Sequence, residues 1–271
     1  MNNVIKINSS REELFRHLRK IARSQTGKRG GLLLVEGRRQ IISALASGQK
    51  IEHLIYSQDN KGEEGIREIL ESVPSEGDLI SLKPSLFDEL AETRNSQGVI
   101  LLTPATEEKL DLQEILTQST APILILENVQ DPGNTGTLIR TADAFGFAAV
   151  LITKGGCQPY NGKALRASMG SAFRVPLLTE VVLQDLLAEL STQNYKLFAA
   201  DMDGQPVQNL EIEPAARLAL LLGNEGAGIS DQVRQAADLL SVPMLGGTES
   251  LNVAMAGTIL CWEIFRRKIN P

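Results

Sequence analysis

One stretch near the C-terminus, residues 242–256, constrains this chain more than any other. The apolar run that ends at Val242 predicts an internal strand. Two glycines follow at 246–247, and because neither carries a Cβ, the backbone there can turn and approach a ligand closely. Ser250 then predicts the N-cap of an apolar helix over residues 251–268. Unpaired amides at a helix start, beside a glycine loop, favour a polar ligand over an ordinary core connection.

Two earlier segments repeat this pattern of a strand followed by a glycine turn. Residues 123–129 predict a buried strand, followed by a turn with Asn134 and a helix with Arg140. Residues 218–222 predict another buried strand, which leads into a glycine-rich loop that starts at Gly223. Neither loop matches the G-x-G-x-x-G of dinucleotide folds or the G-x-x-x-x-G-K-[ST] of a P-loop. The pattern therefore disfavours both of those nucleotide-binding folds.

Taken in order, the three segments resemble motifs 1, 2 and 3 of the SpoU/TrmH family of RNA 2′-O-ribose methyltransferases. The resemblance covers residues 121–268 and implies S-adenosylmethionine as cofactor, an RNA substrate and a homodimer. It also implies an α/β fold in which the C-terminal chain of a parallel-sheet domain threads into a deep trefoil knot. The chain departs from the family at Ala254, where members often carry Ser, which affects only fine positioning.

The resemblance assigns catalytic roles to five polar residues. Arg140 is expected to face the RNA ribose and to accept or relay the hydroxyl proton. Arginine is a poor base because it is almost always protonated, so positioning and electrostatic stabilisation serve equally well. Ser250 and Asn252 match the motif 3 pair that orients substrate and cofactor, and Asn134 belongs to motif 1. Glu225 is interpreted as an organiser of its loop, since a carboxylate among glycines usually accepts backbone amides.

Several of these residues also have an ordinary structural interpretation. Arg140 follows apolar residues, where a charge is costly unless it is paired, so a salt bridge to Asp143 or Glu127 is the alternative. Asn134 and Ser250 are both residue types that cap helices.

The cofactor is expected to be held largely by backbone groups of the two C-terminal loops. Gly223, Val242 and Leu251 occupy the matched positions, and neighbours are expected to contribute. Those neighbours are Leu222, Met244 and Asn252. Core packing is the alternative for the side chains of Val242 and Leu251, so the expectation concerns their amides and carbonyls.

Charge is unevenly distributed along the chain. The net charge is −6, yet residues 1–39 carry ten Lys and Arg against three Glu. Basic residues within this segment recur at helical spacing and predict a phosphate-binding face, with a solvated helix face as the alternative. They are Arg16, Arg19, Lys20 and Arg23. Arg166 lies in another segment that resembles the family and is a further candidate for RNA contact, its alternative being a solvated helical arginine.

The alternation of strand and helix patterns predicts two domains. Residues 1–105 form a small α/β unit with a basic helix at 11–24, and residues 106–120 a linker or connecting helix. Residues 121–271 form the methyltransferase domain, whose nearly continuous apolar strands predict a parallel sheet. Predicted strands occupy 32–36, 51–57, 79–82, 99–103, 122–129, 148–153, 173–178, 196–201, 217–222 and 239–243. Predicted helices between the strands occupy 38–47, 64–72, 84–93, 135–145, 162–170, 183–193 and 230–237.

Composition excludes several other classes of protein. No apolar run approaches the ~18 residues of a membrane span, the start lacks a secretory signal, and a cytoplasmic protein without a DNA partner is expected. Cys157 and Cys261 form no disulfide or metal pattern, and two histidines outside the motifs support neither a metal site nor a Ser-His-Asp triad. The N-terminal alternation, with residues 33–37, resembles the substrate-binding domain of ribosomal-RNA members and favours 23S rRNA. Open alternatives are a tRNA methyltransferase, an antibiotic-resistance rRNA methyltransferase and a non-catalytic RNA-binding or ribosome assembly factor.

Overall fold

A computed structural model describes residues 4–22, 31–72, 78–93, 95–104, 111–213 and 215–269 of the chain. Contacts between Cα atoms divide the chain into two units. The first unit comprises Met1–Glu108 and Tyr160–Phe173, and the second comprises Lys109–Pro159 and Arg174–Pro271. The boundaries predicted at residues 105 and 121 stay predictions.

The first unit contains a five-stranded mixed sheet, in the order β1-β4-β3-β5-β2. Its strands are β1 (Val4–Ile7), β2 (Leu32–Glu36), β3 (His53–Ser57), β4 (Asp78–Leu82) and β5 (Val99–Pro104). Its first helices are α1 (Glu13–Ala22), α2 (Arg38–Ala46), α3 (Asn60–Ser72) and α4 (Pro84–Asp88). Strand β5 runs antiparallel to both of its neighbours. Strand β1 was not predicted, because four residues at a sheet edge give too short an alternation to recognise.

Helix α1 shows why its segment folds onto the sheet. Phe15, Leu18 and Ile21 recur at helical spacing and are buried in the core of the first unit. Arg16 and Lys20 lie on the opposite side and are exposed. The basic helix is therefore amphipathic, with its apolar side fixed and some of its cations in solvent.

The second unit contains six strands that are all paired in parallel, in the order β11-β9-β10-β6-β7-β8. These strands are β6 (Ile123–Leu126), β7 (Ala149–Thr153), β8 (Leu177–Val181), β9 (Tyr195–Pro206), β10 (Arg217–Leu222) and β11 (Asp238–Ser241). The remaining helices are α5 (Leu112–Gln118), α6 (Pro132–Ala144), α7 (Gly162–Ser168), α8 (Leu183–Thr192), α9 (Asp231–Ala236) and α10 (Val253–Ile269), of which α7 belongs to the first unit. The predicted parallel sheet is confirmed. Its central strands are apolar throughout because helices bury both faces.

The strand order brings distant loops to one edge of this sheet. From β6 the chain proceeds through β7 and β8 towards one side, whereas β10, β9 and β11 lie on the other. In open parallel sheets, ligands bind outside the carboxyl ends of the strands at such a switch point. Residues 127–131 follow β6 and residues 223–228 follow β10 at this edge of the sheet, so motifs 1 and 2 meet.

Helix α10 closes this edge against α6 and β10. A Cβ on Gly257 would lie 2.6 Å from Leu138 Cδ2, so glycine lets the two helices pack this closely without a shift of the leucine side chain. Thr141 and Thr258 share a hydrogen bond of 3.0 Å between their hydroxyls. No helix in the described part of the chain is both long enough and apolar enough to cross a membrane.

Candidate active site

A carboxylate from motif 2 holds the turn of motif 1. Glu225 accepts hydrogen bonds from the main-chain amides of Gln130 at 3.2 Å and Asp131 at 3.1 Å. It also accepts one from the Asn134 side-chain amide at 3.0 Å. The loops after β6 and β10 are thereby fastened together by one side chain, although the residues are more than ninety positions apart in sequence.

The Asn134 side chain extends this connection to motif 3. Its oxygen accepts a hydrogen bond from the side-chain nitrogen of Asn252 at 3.0 Å. Asn134, Glu225 and Asn252 therefore form one network that joins all three motifs, and we call it the asparagine–glutamate network. Each asparagine uses its donor and its acceptor in opposite directions, which sets the orientation of both amides.

Two predicted helix caps are wrong. Helix α6 is capped by Asp131, whose carboxylate accepts the amide of Asn134 at 2.9 Å, so Asn134 is not the cap. Helix α10 begins at Val253, and Asn252 accepts the amides of Ala254 at 2.9 Å and Met255 at 3.3 Å. Ser250 lies too far before that start and is exposed. Both helices are capped by the residue that directly precedes them, which frees Asn134 for the network.

The network keeps Glu225 ionised. Burial by itself raises the pKa of Glu225, but hydrogen bonds from Asn134, from its own amide and from the amides of Asp131 and Gln130 outweigh it, so the pKa is lowered. A carboxylate with a lowered pKa is a weak base at neutral pH. The electrostatics therefore support the interpretation of Glu225 as a loop organiser.

A cavity of 570 Å³ lies beside this network, and we call it the strand-end cavity. It is lined by residues of β9, β11 and α9, by the segments that follow β10 and β11, and by the first turns of α10. The volume falls within the range of small-molecule sites, which is roughly 300–1,000 Å³. Apolar lining residues are Ala200, Met202, Leu240, Val242, Met244, Leu251, Val253, Ala256 and Leu260, and polar ones include Asp201, Asp203, Asn224, Arg234 and Ser241.

The structure brings four of the six predicted cofactor positions to this cavity. Gly223, Val242, Met244 and Leu251 line it, and Ser250 and Glu225 lie on its wall as well. Leu222 does not line it, because its side chain is fully buried. Asn252 does not line it either, because its side chain faces Asn134 and the start of α10.

Sequence reasoning missed the contribution of β9. Asp201 lines the cavity and pairs with Arg234 at 2.6 Å, with only 10% of the aspartate side chain exposed. Met202 lines the cavity nearby and is 67% exposed. Both residues lie within β9, directly after its apolar half, and no glycine cluster marked this position in the sequence.

Gly223 allows the tightest backbone approach in this site. A Cβ there would lie against the carbonyl group of Gly228 and 2.6 Å from the amide nitrogen of Ile229. The approach is held by two main-chain hydrogen bonds between Asn224 and Gly228, of 2.9 and 3.0 Å. Because these obstacles are backbone atoms, no side-chain movement can make room for a larger residue.

Arg140 is exposed on α6, which corrects the expectation that it lies in an apolar environment. Neither predicted ion-pair alternative is present. Asp143 pairs with Arg174 at 2.5 Å, and Glu127 accepts the amide of Ser230 at 3.1 Å. Arg140 has no hydrogen bond or ion pair with any residue in the described part of the chain, so its guanidinium is available to a ligand.

The basic residues of the first unit differ in their surroundings. Arg16 and Lys20 are exposed, whereas Arg19 pairs with Glu89 at 3.4 Å and Arg23 lies outside the described residues. Arg166 is neither free nor fully solvated, because it pairs with Glu92 and its side chain is 34% exposed. The candidate phosphate contacts are therefore not equivalent.

Comparison with known families matches both halves of the chain. Residues 121–262 match the model of the SpoU rRNA Methylase family, and residues 14–101 match the MRM3-like substrate binding domain. The 23S rRNA (guanosine(2553)-2′-O)-methyltransferase RlmP of Bacillus subtilis is 30% identical over 264 residues, which cover 95% of this chain and 98% of that protein. The 23S rRNA (guanosine-2′-O-)-methyltransferase RlmB of Haemophilus influenzae is 34% identical over 188 residues, 68% of this chain and 76% of that protein.

Solved structures agree with this comparison. The crystal structure of an AdoMet-bound rRNA methyltransferase from Sinorhizobium meliloti aligns with a TM-score of 0.82 and 25% identity, covering 97% of this chain and 98% of that one. The SpoU methyltransferase AviRb from Streptomyces viridochromogenes, in complex with AdoMet, aligns with a TM-score of 0.82 and 27% identity, covering 96% and 99%. Both similarities extend over nearly the full length of each chain.

Proposed function

The chain belongs to the SpoU rRNA methylase family, and from this premise we propose that it methylates the ribose 2′-hydroxyl of a guanosine in 23S rRNA. The methyl donor of this family is S-adenosylmethionine. The observation that supports the proposal most strongly is the strand-end cavity beside the asparagine–glutamate network, built from all three motifs. In this proposal the protein acts in the cytoplasm, on ribosomal RNA.

The residues of the strand-end cavity fit the cofactor chemically. Adenine and the methionine chain need apolar walls, which Leu240, Val242 and Leu251 supply. Ribose hydroxyls and the amino-acid end need polar partners, and Asp201 and Arg234 offer them from the wall of the same cavity. When bound, S-adenosylmethionine supplies an electrophilic methyl group on its sulfonium.

The chain's own task is to hold and activate the ribose. Arg140 is the exposed cation on the motif 1 helix, and in our proposal its guanidinium binds the ribose and stabilises the negative charge that develops on the 2′-oxygen. It does not need to act as a free base, since arginine stays protonated. Asn134 and Asn252 keep the helices α6 and α10 in register, so the arginine is presented from a rigid support.

Methyl transfer to defined RNA tests the proposal. Purified protein, tritiated S-adenosylmethionine and 23S rRNA transcribed without modifications should give label in one ribose, mapped by nuclease digestion and mass spectrometry. Ribose methylation should also disappear from one site when the protein is removed from cells. Label only in tRNA would contradict the rRNA assignment, and cofactor binding without any transfer would favour a non-catalytic assembly factor.

The basic residues between positions 16 and 23 should strengthen RNA binding. Changing Arg16, Arg19, Lys20 and Arg23 to Gln should weaken RNA affinity and flatten its salt dependence, by about 0.7 to 0.9 in slope for each lost phosphate contact. Fluorescence anisotropy between 50 and 200 mM salt measures this. Arg19→Gln alone is the internal control, since Glu89 already neutralises this residue and the slope should hardly change. An unchanged slope in the fourfold variant would identify a merely solvated face.

We also propose that the chain forms a homodimer through α10. Met255, Ile259 and Trp262 form an apolar stripe on this helix and are 58%, 38% and 43% exposed, so a buried core face does not account for them. The Trp262 ring packs in tilted arrangements against Phe145 and Phe265, at centroid distances of 5.7 and 5.6 Å, which enlarges the apolar surface. Such a surface favours a protein partner, and a second copy is the partner that the family implies.

Trp262→Glu should convert the dimer to a monomer, because a carboxylate at the centre of an apolar interface is left without a partner. Light scattering at micromolar concentration measures the mass, and methylation is assayed on the same sample. Val182→Glu is the matched control, because Val182 is 49% exposed and lies at the N-terminus of a different helix, α8. A wild-type protein that is monomeric and fully active would contradict the dimer.

A further inference from the structure

A second cavity lies within the first unit and has a different chemical character. Its volume is 380 Å³, and its residues come from α1, β2 and Glu92 on one side and from residues 160–166 on the other. Leu32 and Leu34 form part of an apolar floor and stay partly exposed, whereas the alternating Leu33 and Val35 are buried in the core. The floor is therefore apolar surface that no described side chain of the unit covers completely.

The opposite wall is aromatic and cationic. Tyr160 is half-buried, Lys163 is an exposed residue, and the Arg166 guanidinium is partly neutralised by Glu92. An apolar floor with an aromatic ring suits the face of a nucleobase, and neighbouring cations suit its phosphates. Unpaired RNA offers both groups on one nucleotide, whereas double-stranded RNA keeps its bases stacked inside the helix.

We infer that this cavity holds one unpaired nucleotide of the RNA substrate, an inference that rests on the proposed function. Its base packs on Leu32, Leu34 and the ring of Tyr160, and its phosphate binds Lys163 and Arg166. Residues 160–166 fall within the stretch that matches the methylase model, yet they complete a cavity of the unit that contains the substrate-binding match. One nucleotide would thus be held by residues from both matched regions.

Crosslinking and affinity together test the inference. A single-stranded fragment of 23S rRNA transcribed with 4-thiouridine is irradiated with the full-length protein, and crosslinked peptides are identified by mass spectrometry. We expect crosslinks within residues 160–166. Lys163→Gln should raise the Kd for this RNA about fivefold and lower the salt slope by about 0.7, the value for one cation on a single strand.

Two further variants separate a binding site from a general charge effect. Ala22→Phe places a ring in the cavity that Ala22 lines, and should weaken RNA binding about tenfold without changing the net charge. Lys50→Gln removes the same charge from an exposed position of the same unit that does not line the cavity, and should bind RNA as the wild type does. Thermal melting confirms that each variant is folded.

The outcomes distinguish this inference from the proposed function. Wild-type affinity in both Lys163→Gln and Ala22→Phe, or crosslinks found only elsewhere, would overturn the nucleotide site while methylation by the wild type continues. If guanosine 5′-monophosphate binds in the cavity and no RNA crosslink forms there, the cavity would be assigned to a free nucleotide, and the inference would be overturned equally. Absence of methyl transfer by the wild type, with S-adenosylmethionine bound, would instead refute the proposed function.

Discussion

Replacing Arg140 with alanine should abolish methyl transfer and leave the protein folded. The exposed guanidinium makes no hydrogen bond or ion pair with any described residue, so its loss breaks no polar interaction within the fold. Loss of one preorganised group that stabilises charge in a transition state costs on the order of 10² to 10³ in turnover. We therefore expect single-turnover methylation to collapse, with the melting temperature and the calorimetric affinity for S-adenosylmethionine close to wild type.

The exposure of Arg140 makes this experiment decisive. A buried ion pair, once broken, costs about 3–5 kcal/mol of stability, and such a loss would obscure any catalytic effect. Arg174→Ala is the matched control, because it removes an arginine that pairs with Asp143 on the same helix, α6. Its turnover should stay near normal. Near-normal turnover in a stable Arg140→Ala variant would exclude the catalytic role.

The order of strands and helices could be predicted from the sequence because each central strand is a short apolar run between polar turns. Strand β6, for example, is Ile-Leu-Ile-Leu with every side chain buried. The order of the strands in the sheet could not be predicted, since every buried parallel strand has the same apolar pattern. The trefoil knot was implied by resemblance alone, because threading of a loop leaves no periodic signal.

The site was predictable in its parts and not in its connections. Gly223 and Glu225 stood out because a glycine loop follows a strand, but nothing in the sequence pairs Glu225 with Asn134, 91 positions away. Ser250 and Asn252 both have side chains that cap helices, and only the observed start of α10 decides between them. Asp201 was missed because it lies within β9 and no glycine loop beside it marks a ligand site.

Gly223→Ala should remove most of the affinity for S-adenosylmethionine. The added methyl group would press on the carbonyl group of Gly228, and the loop after β10 can make room only by moving its backbone. That movement would break the pair of hydrogen bonds between Asn224 and Gly228. Overpacking of this kind costs typically ~1–3 kcal/mol. If the cofactor site bears this cost, calorimetry should show a Kd raised roughly tenfold to a hundredfold.

Gly226→Ala is the matched control within the same loop. A Cβ at Gly226 would meet only Asn224 Oδ1, at the ordinary contact distance of 3.7 Å, so this variant should keep the loop conformation and bind the cofactor far more tightly than Gly223→Ala. RNA affinity should stay unchanged in both variants, because the basic residues of α1 belong to the other unit. Wild-type cofactor affinity in Gly223→Ala would show that the loop yields without cost. The strand-end cavity would then not depend on the close backbone approach that distinguishes Gly223 from Gly226.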